Sequence, residues 1–364
     1  MEKEKQYLYW LCQIPVLGAV SIRRLWKRFK SFQSIYNIEG TQLAEERLLG
    51  GDAALCFDRW KKNFVKSQEE YGRLQEKEIR FLTILDKEYP IRLRHIYDYP
   101  MGLYVKGQIP KDDLPSVAII GARNCSSYGL QAAHMLGEEL SREGIQIVSG
   151  MALGIDGAGH QGALAAGGST FAVLGSGVDV CYPKRHWSMY GQIVRTGGVL
   201  SEFRLGEQAL PQHFPMRNRI ISGLSDAIVV VEARERSGSL ITVEMGLEQG
   251  KEIFAVPGMI TDQLSMGCNQ LIRQGANIVT GFQDILEYFQ INSHKKLRLH
   301  EKNEIGLAKK EKMVYSCLDF QPKYFDKVVE DSGLPVGEVM TLLLDLELRG
   351  VILQPANHYY VKKL

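Results

Sequence analysis

The sequence predicts an α/β chain built on a doubly wound, mostly parallel sheet, with a small helical unit before it and a winged helix after it. Three observations predict this. Between residues 116 and 280 seven short apolar runs ("SVAII", "IQIVSG", "TFAVLG", "GVLSEF", "AIVVVEA", "EIFAVPG", "ANIVTG") mostly alternate with helical stretches such as "GLQAAHMLGEELSREG". Runs that are apolar throughout read as strands buried on both faces, and repeated strand-helix-strand units imply a parallel sheet. Before residue 75 the apolar spacing is helical only, and after 308 three helical patterns precede two short strands.

Residues 1–75 are expected to form the small helical domain. In "SIRRLWKRFKSF" Ile22, Leu25, Trp26 and Phe29 fall on one helical face, and Arg23, Arg24, Lys27, Arg28 and Lys30 fill the rest. The preceding "IPVLGAV" supplies a glycine turn, so the pair could offer backbone N–H groups to a phosphate or simply present a solvated basic face. Residues 78–290 carry the sheet, and 291–307, lysine-rich and poor in apolar residues, read as a linker. Residues 308–364 hold helices near 309–318, 322–332 and 335–349, then the strands "GVILQ" and "HYYVKK". Three helices and a terminal hairpin suggest the winged helix.

Composition narrows the function. Of 364 residues 45% are hydrophobic and 24% charged, with a net charge of only +2, so a polyanion has to be met by a local basic patch. No leader-like segment opens the chain and no run of some eighteen apolar residues occurs, so a cytoplasmic protein with no membrane partner is expected. The six cysteines are far apart, which indicates neither a metal site nor a disulfide framework, and nothing calls for a cofactor.

Ligands of doubly wound sheets sit beyond the carboxyl ends of the strands, so the loops there carry the chemistry. In "VAIIGARNCSSYGLQ" a strand stops at Gly121 and a helix starts near Gly129, with Arg123, Ser126 and Ser127 between them. Amides, hydroxyls and a guanidinium fork favour an anion, whereas the missing G-x-G-x-x-G disfavours a dinucleotide. The bland alternative is a glycine turn whose arginine pairs with a local carboxylate. In "SGMALGIDGAGHQGAL", Asp156 is expected to organise the loop and His160 to be a hydrogen-bonded structural residue. "LGSGVDVCYPKRHWSMY" sets Lys184 and Arg185 beside Trp187 and Tyr190, and "FPMRNRIISGLS" adds Arg217, Asn218 and Arg219. Cations beside aromatics suit single-stranded nucleic acid, which needs charge for phosphates and flat faces for unstacked bases.

These loops together resemble the DNA-processing protein A family (DprA, also called Smf). The matching stretches are "GARNCSSYG", "SGMALGIDGAGHQGAL", "VLGSGVDVCYPKRH", "LSEF", "FPMRNRIISGLSDAIVVVEARERSGSLITVEMGLEQGKEIFAVPG" and "GCNQLIRQGA", covering nearly all of residues 80–290 in order. The resemblance implies an extended Rossmann-like fold, a helix-hairpin-helix or SAM-like N-terminal domain, homodimerisation, and non-enzymatic binding of single-stranded DNA. It also implies protection of that strand and its delivery to the RecA recombinase in transformation or recombination. By the same resemblance Arg123 and Lys184 contact phosphates, and Gly121, Ser126, Ser149, Gly150 and Asn218 fall in or beside the phosphate pocket. Arg217 and Arg219 flank that pocket by sequence alone. The chain departs from the family at His186, where asparagine is frequent, and at Gly159, usually alanine.

An enzymatic alternative stays open at this point. Nucleoside-monophosphate phosphoribohydrolases carry P-G-G-x-G-T-x-x-E, similar to "RSGSLITVE" with Glu244 at the acidic place, but Ile241 precedes Thr242 where they have glycine. The third helix of the winged module bears Glu338, Asp345 and Glu347 against one Arg349, which points to a protein contact or to regulated access rather than to duplex reading.

Overall fold

A computed structural model describes residues 2–291 and 307–363; the expected linker lies, but for its two end residues, outside the described residues. Six helices come first: α1 Glu2–Gln13, α2 Ala19–Phe29, α3 Phe32–Asn37, α4 Gly40–Glu45, α5 Gly51–Lys61 and α6 Phe64–Gly72. In α2, Ile22 and Leu25 are buried while Arg24, Lys27 and Arg28 are exposed, as the apolar spacing demands. Lys30, in the left-handed region at φ 59°, ends that helix. Trp10, Leu25 and Phe32 share one apolar cluster with Leu103, Phe171 and Val173 of the sheet, so the core runs across residue 75 without a break.

The sheet has nine strands: β1 Ile79–Thr83, β2 Gly102–Gly107, β3 Ser116–Ile120, β4 Gln146–Ser149, β5 Thr170–Val173, β6 Gly198–Ser201, β7 Ala227–Val230, β8 Glu252–Ala255 and β9 Asn277–Ile278. Their order is β1-β2-β6-β5-β4-β3-β7-β8-β9. Every pairing from β6 to β9 is parallel, and these seven strands are the seven apolar runs. The first two strands extend the sheet antiparallel. Only the one-turn helix α7, Ile91–Arg94, lies between them, so no strand-helix-strand rhythm marked them in the sequence.

Both faces of the sheet are covered. Val117 and Ile119 pack under α8 (Ser127–Arg142), α9 (Ile155–Ala165) and, farther along the chain, α14 (Phe282–Tyr288). Ala118 and Ile120 face the other way. On that side lie residues of α11 (His213–Leu224), α12 (Gly238–Glu248) and α13 (Met266–Arg273). The remaining helix, α10 (Trp187–Thr196), closes a third cluster through Met189, Tyr190 and Ile193. Because α14 spends Phe282, Ile285 and Leu286 on this core, its apolar side is not free for a second chain.

Helices α8 and α9 touch backbone to backbone. A Cβ at Gly137 would stand 2.3 Å from the Gly159 carbonyl oxygen, whereas one at Gly159 would meet only Ile119 carbons at 3.1 Å. The alanine usual at position 159 therefore asks for a small shift, and the glycine there does not reshape the loop.

The C-terminal module has α15 (Lys309–Ser316), β10 (Lys323–Tyr324), α16 (Phe325–Ser332), α17 (Val336–Leu348), β11 (Ile352–Ala356) and β12 (Tyr359–Lys362). Its strands pair in the order β10-β12-β11. Val314, Val328, Val339, Leu343 and Leu346 form its own core. It meets α8 through the Phe320 ring at 6.2 Å from Tyr128, and the Gln131 amide donates to the Lys362 carbonyl. No helix among the described residues is long and apolar enough to cross a membrane.

Candidate nucleic-acid interface

Strand β3 lies between β4 and β7, so successive connections leave it in opposite directions. The crevice beyond the carboxyl ends of β3 and β7 is thus the switch point where such sheets bind ligands. Three loops and the start of α11 meet there.

The loop after β3 is clamped by Glu232, which follows β7. Its carboxylate accepts from the Ser126 amide at 2.8 Å and from the Ser126 hydroxyl, and that hydroxyl accepts in turn from the Gly129 amide at 3.0 Å. Burial raises the Glu232 carboxyl above its ordinary range, and the Ser126 hydrogen bonds oppose that rise. Glycine is required at two places: a Cβ at Gly121 would lie 2.7 Å from Ile155, and one at Gly129 would lie 2.5 Å from the Glu232 carboxylate. The anion met by the Ser126 hydroxyl and amide is therefore an internal one. Ser126 caps α8 and anchors the loop, with its hydroxyl and amide engaged by Glu232.

The loop after β4 rests on two buried groups, Asp156 and Arg217, which attract each other without a direct ion pair. Ser149, fully buried, donates its hydroxyl to the Ile119 carbonyl inside the sheet. Asp156 accepts from the amides of Gly150 at 3.1 Å and Ala152 at 3.4 Å. Arg217 donates to the carbonyls of Gly150, at 2.8 Å, and Val173. Burial holds the Arg217 guanidinium down to about 10, against the pull of Asp156. A Cβ at Gly150 would stand 2.2 Å from that guanidinium, so any side chain there would displace Arg217 from its carbonyls. Arg217 is thus the floor of the site, buried beneath it.

Arg219 leaves the site altogether. Its guanidinium pairs with Asp98 at 3.0 Å and Glu202 at 2.5 Å and lines a separate cavity of about 410 Å³ against residues 14–19. Both arginines lie within α11, where positions two apart stand about 200° from each other. Asn218, between them, lines the central cavity together with Arg217.

That central cavity has a volume of about 650 Å³ and is bounded by Gly121, Arg123, Tyr182, Phe214, Asn218 and the N-terminal residues of α12. A smaller hollow of about 60 Å³ shares Arg123, Tyr182 and Phe214 with it and adds Gly150 and Pro183. Arg123 is exposed and lies 4.7 Å above the Phe214 ring, and Tyr182 is 5.8 Å from the same ring. Among the described residues Arg123, Lys184 and Arg185 enter no ion pair with a carboxylate, which removes the reading of Arg123 as a locally paired arginine. Lys184 and Arg185 are exposed one and two residues past Pro183. Trp187 is 66% exposed and stacks at 5.7 Å on buried Tyr190, whose hydroxyl donates to the Val178 carbonyl. The ring of His186 bonds the Met151 carbonyl at 3.0 Å, so the departure there ties this rim to the neighbouring loop.

Sequence reasoning missed Phe214, Tyr182 and Glu232. A carboxylate closing the apolar run "AIVVVEA" was a usable sign of a buried hydrogen-bonded role. Phe214 gave none, because an aromatic ahead of a proline at a helix start reads as packing. Of the enzyme reading's residues, Thr242 lines the cavity but Glu244 is exposed on α12 and is not among the lining residues. No group of three metal-ligating side chains occurs among the described residues.

His160 lies beneath the site, fully buried, with its ring bonded to the Thr170 hydroxyl at 2.6 Å. Burial holds it down to about 3. Below its ordinary value of about 6.5 the unfolded chain takes up a proton that the fold refuses, so stability is lost as pH falls, by about 1.4 kcal/mol per unit. Urea unfolding of His160→Asn is expected to lack this component of the slope between pH 6.5 and 5; an unchanged slope would show that His160 titrates normally.

Comparison with known proteins agrees with these loops. The family model described as DNA recombination-mediator protein A matches residues 80–290, and a DprA winged helix domain matches residues 300–356. The chain is 43% identical over 255 residues to the DNA processing protein DprA of Streptococcus pneumoniae, covering 69% of this chain and 90% of that one. With DprA of Bacillus subtilis it is 41% identical over 278 residues, covering 76% and 93%. The X-ray structure of the S. pneumoniae protein superposes with a TM-score of 0.60 at 37% identity, covering 79% of this chain and 99% of that one. A Helicobacter pylori DprA structure, described by its single-stranded DNA binding mode, gives 0.53 at 28% identity, covering 58% and 96%. With the sheet, its loops and the winged module all accounted for, the chain belongs to the DprA/Smf family of DNA recombination-mediator proteins.

Proposed function

We propose that this protein binds single-stranded DNA along the rim formed by Arg123, Lys184, Arg185 and Trp187, without catalysing a reaction on it. One observation supports the reading: Arg123, exposed and with no carboxylate partner among the described residues, lies over Phe214 in a cavity that Tyr182 also lines, and the exposed Lys184, Arg185 and Trp187 follow Tyr182 within five residues. The cations neutralise successive phosphates, and the flat side chains receive bases that only an unpaired strand turns outward. The H. pylori relative, described as a single-stranded DNA binder, supports the same reading.

The protein then works in the cytoplasm in DNA processing and recombination, protecting the strand and handing it to RecA, as the family implies. It acts as a homodimer. Met259, Ile260, Met266 and Ile278 are exposed apolar residues close in sequence to the open edge strand β9, and they suit a second copy.

Titrating defined single- and double-stranded oligonucleotides at several salt concentrations tests the function. Preference for the single strand is expected, and equal affinity for both would mark a general polyanion binder. Trp187→Ala is expected to weaken single-strand binding by about 1–3 kcal/mol while leaving the salt slope unchanged, because stacking releases no counterions. A changed slope would mean that Trp187 acts by placing Lys184.

A further inference from the structure

Residues 5–38 hold six cations, Lys5, Arg23, Arg24, Lys27, Arg28 and Lys30, and no aspartate or glutamate. Five of the six belong to α2 or its C-cap. At roughly 100° per residue Arg23, Lys27, Arg24 and Arg28 fall within an arc of about 140°, opposite the buried Ile22. Arg28 pairs with Glu46 at 3.1 Å, while among the described residues Arg24, Lys27 and Lys30 enter no ion pair.

The topology ties this face to the edge of the sheet that carries the rim. Strand β2 runs antiparallel to β6 with Tyr104 opposite Ser201, so the start of β2, and the loop 97–101 before it, lie where the parallel strands end. Arg23 joins α2 to that loop: its guanidinium donates to the Tyr97 carbonyl and lies 4.7 Å from the Tyr97 ring and 5.3 Å from the Tyr99 ring. Arg123 follows β3, Lys184 and Arg185 follow β5, and β2 stands two places beyond β5. Four strand steps, roughly 19 Å, thus separate the first cation's strand from the one beside α2. The carboxylates on the way are engaged. Arg219 holds Asp98 and Glu202, Arg204 holds Glu207 at 3.2 Å, and Asp179 accepts from the Gly206 amide at 2.8 Å.

We propose that a single strand held at the rim runs on past the start of β2 and onto α2, with its phosphates on Arg23, Arg24 and Lys27 and a base on the Tyr97 ring. The makeup of the face chooses this occupant. No large apolar side chain between residues 17 and 54 is exposed, so α2 offers neither the apolar wedge of an interfacial membrane helix nor the anchor of a protein hot spot. It offers charge free of carboxylates, which a phosphate chain meets by releasing its counterions. Tyr97, 75% exposed and backed by Arg23, adds a flat face that only an unpaired base can use.

This continuation rests on the DNA reading above and gives the helical domain a part in it. Its signature is a dependence on strand length. A strand just long enough for Arg123 and Lys184 ignores α2. A longer one gains phosphate contacts there, each adding about 0.7 to the logarithmic salt slope.

Titrations of oligo-dT of about 6 and about 20 residues at several salt concentrations test it, with the full chain as wild type, as the double variant Arg24→Ala/Lys27→Ala, as Tyr97→Ala and as Arg123→Ala. The double variant is expected to bind the short strand as wild type does, which also shows that it folds. On the long strand it is expected to bind at least about tenfold more weakly, with a slope shallower by about 1.4. Tyr97→Ala should likewise weaken the long strand and spare the short one, whereas Arg123→Ala should weaken both. Wild-type affinity of the double variant or of Tyr97→Ala for the long strand, with Arg123→Ala weak, would overturn the continuation and leave the rim standing. Equal losses at both lengths would overturn it too, since α2 would then not lie beyond the rim. Arg123→Ala without effect at either length would sink the rim reading and the continuation together. A double variant that loses only duplex binding would make α2 a duplex surface and end the proposal.

Discussion

Replacing Arg123 with alanine is expected to weaken single-stranded DNA binding by about 1.5–3 kcal/mol, roughly ten- to a hundredfold, the range of a hydrogen bond to a charged group. Arg123 has no carboxylate to leave, so its guanidinium meets a phosphate without first breaking an ion pair. The Phe214 ring 4.7 Å beneath it limits the orientations it samples, so little entropy is lost on binding. Because the contact is to phosphate, the loss should be alike for all sequences, and the logarithmic salt slope should become shallower by about 0.7. Lys184→Ala should match it in slope. Arg123→Lys separates charge from geometry: it keeps the slope and still loses affinity, because an ammonium neither stacks on Phe214 in the same way nor presents a planar fork. Titrations at three or more salt concentrations check all of this. Unchanged affinity and slope in both alanine variants would show that the strand runs elsewhere.

How far such a site is legible depends on what each residue leaves in the sequence. The seven parallel strands were readable because burial on both faces makes them apolar without alternation, and their order along the chain is that of the runs. Strands β1 and β2 were not, since antiparallel neighbours need no crossover helix and α7 is one turn long. Arg123, Lys184 and Trp187 stand out from loop chemistry alone, and all three are exposed. The anchoring role of Ser126 leaves no local sign, because its partner, Glu232, is more than a hundred residues away. Arg217 and Arg219 look equivalent in the sequence because they share one short cationic stretch; once both lie on one helix, geometry sends them to opposite sides. What one loop shows is written locally, while what holds the loop is written in other strands.

Replacing Arg217 with methionine is expected to cost about 1–3 kcal/mol of stability, the range for leaving a buried acceptor without its donor. Methionine fills a similar length but donates nothing. The carbonyls of Gly150 and Val173 lose a donor, and buried Asp156 loses the cation that offsets its desolvation. Burial already raises the Asp156 carboxyl above its ordinary range, and without Arg217 it rises further. The folded protein then binds the proton more tightly than the unfolded chain, so the deficit is greatest at neutral pH and shrinks as pH falls through the raised value. Adding Asp156→Asn should recover part of the loss, since the amide keeps an acceptor for the Gly150 and Ala152 amides and carries no charge to strand. Urea unfolding of the single and double variants at pH 7.5 and 5.5 checks this. A single variant within 1 kcal/mol of wild type, or a double variant no more stable than the single one, would mean that the site's floor does not depend on these two charges facing each other. If the floor does depend on them, Arg217→Met should also weaken DNA binding, because Arg217 lines the central cavity and the Gly150 turn it supports shares the smaller hollow with Arg123.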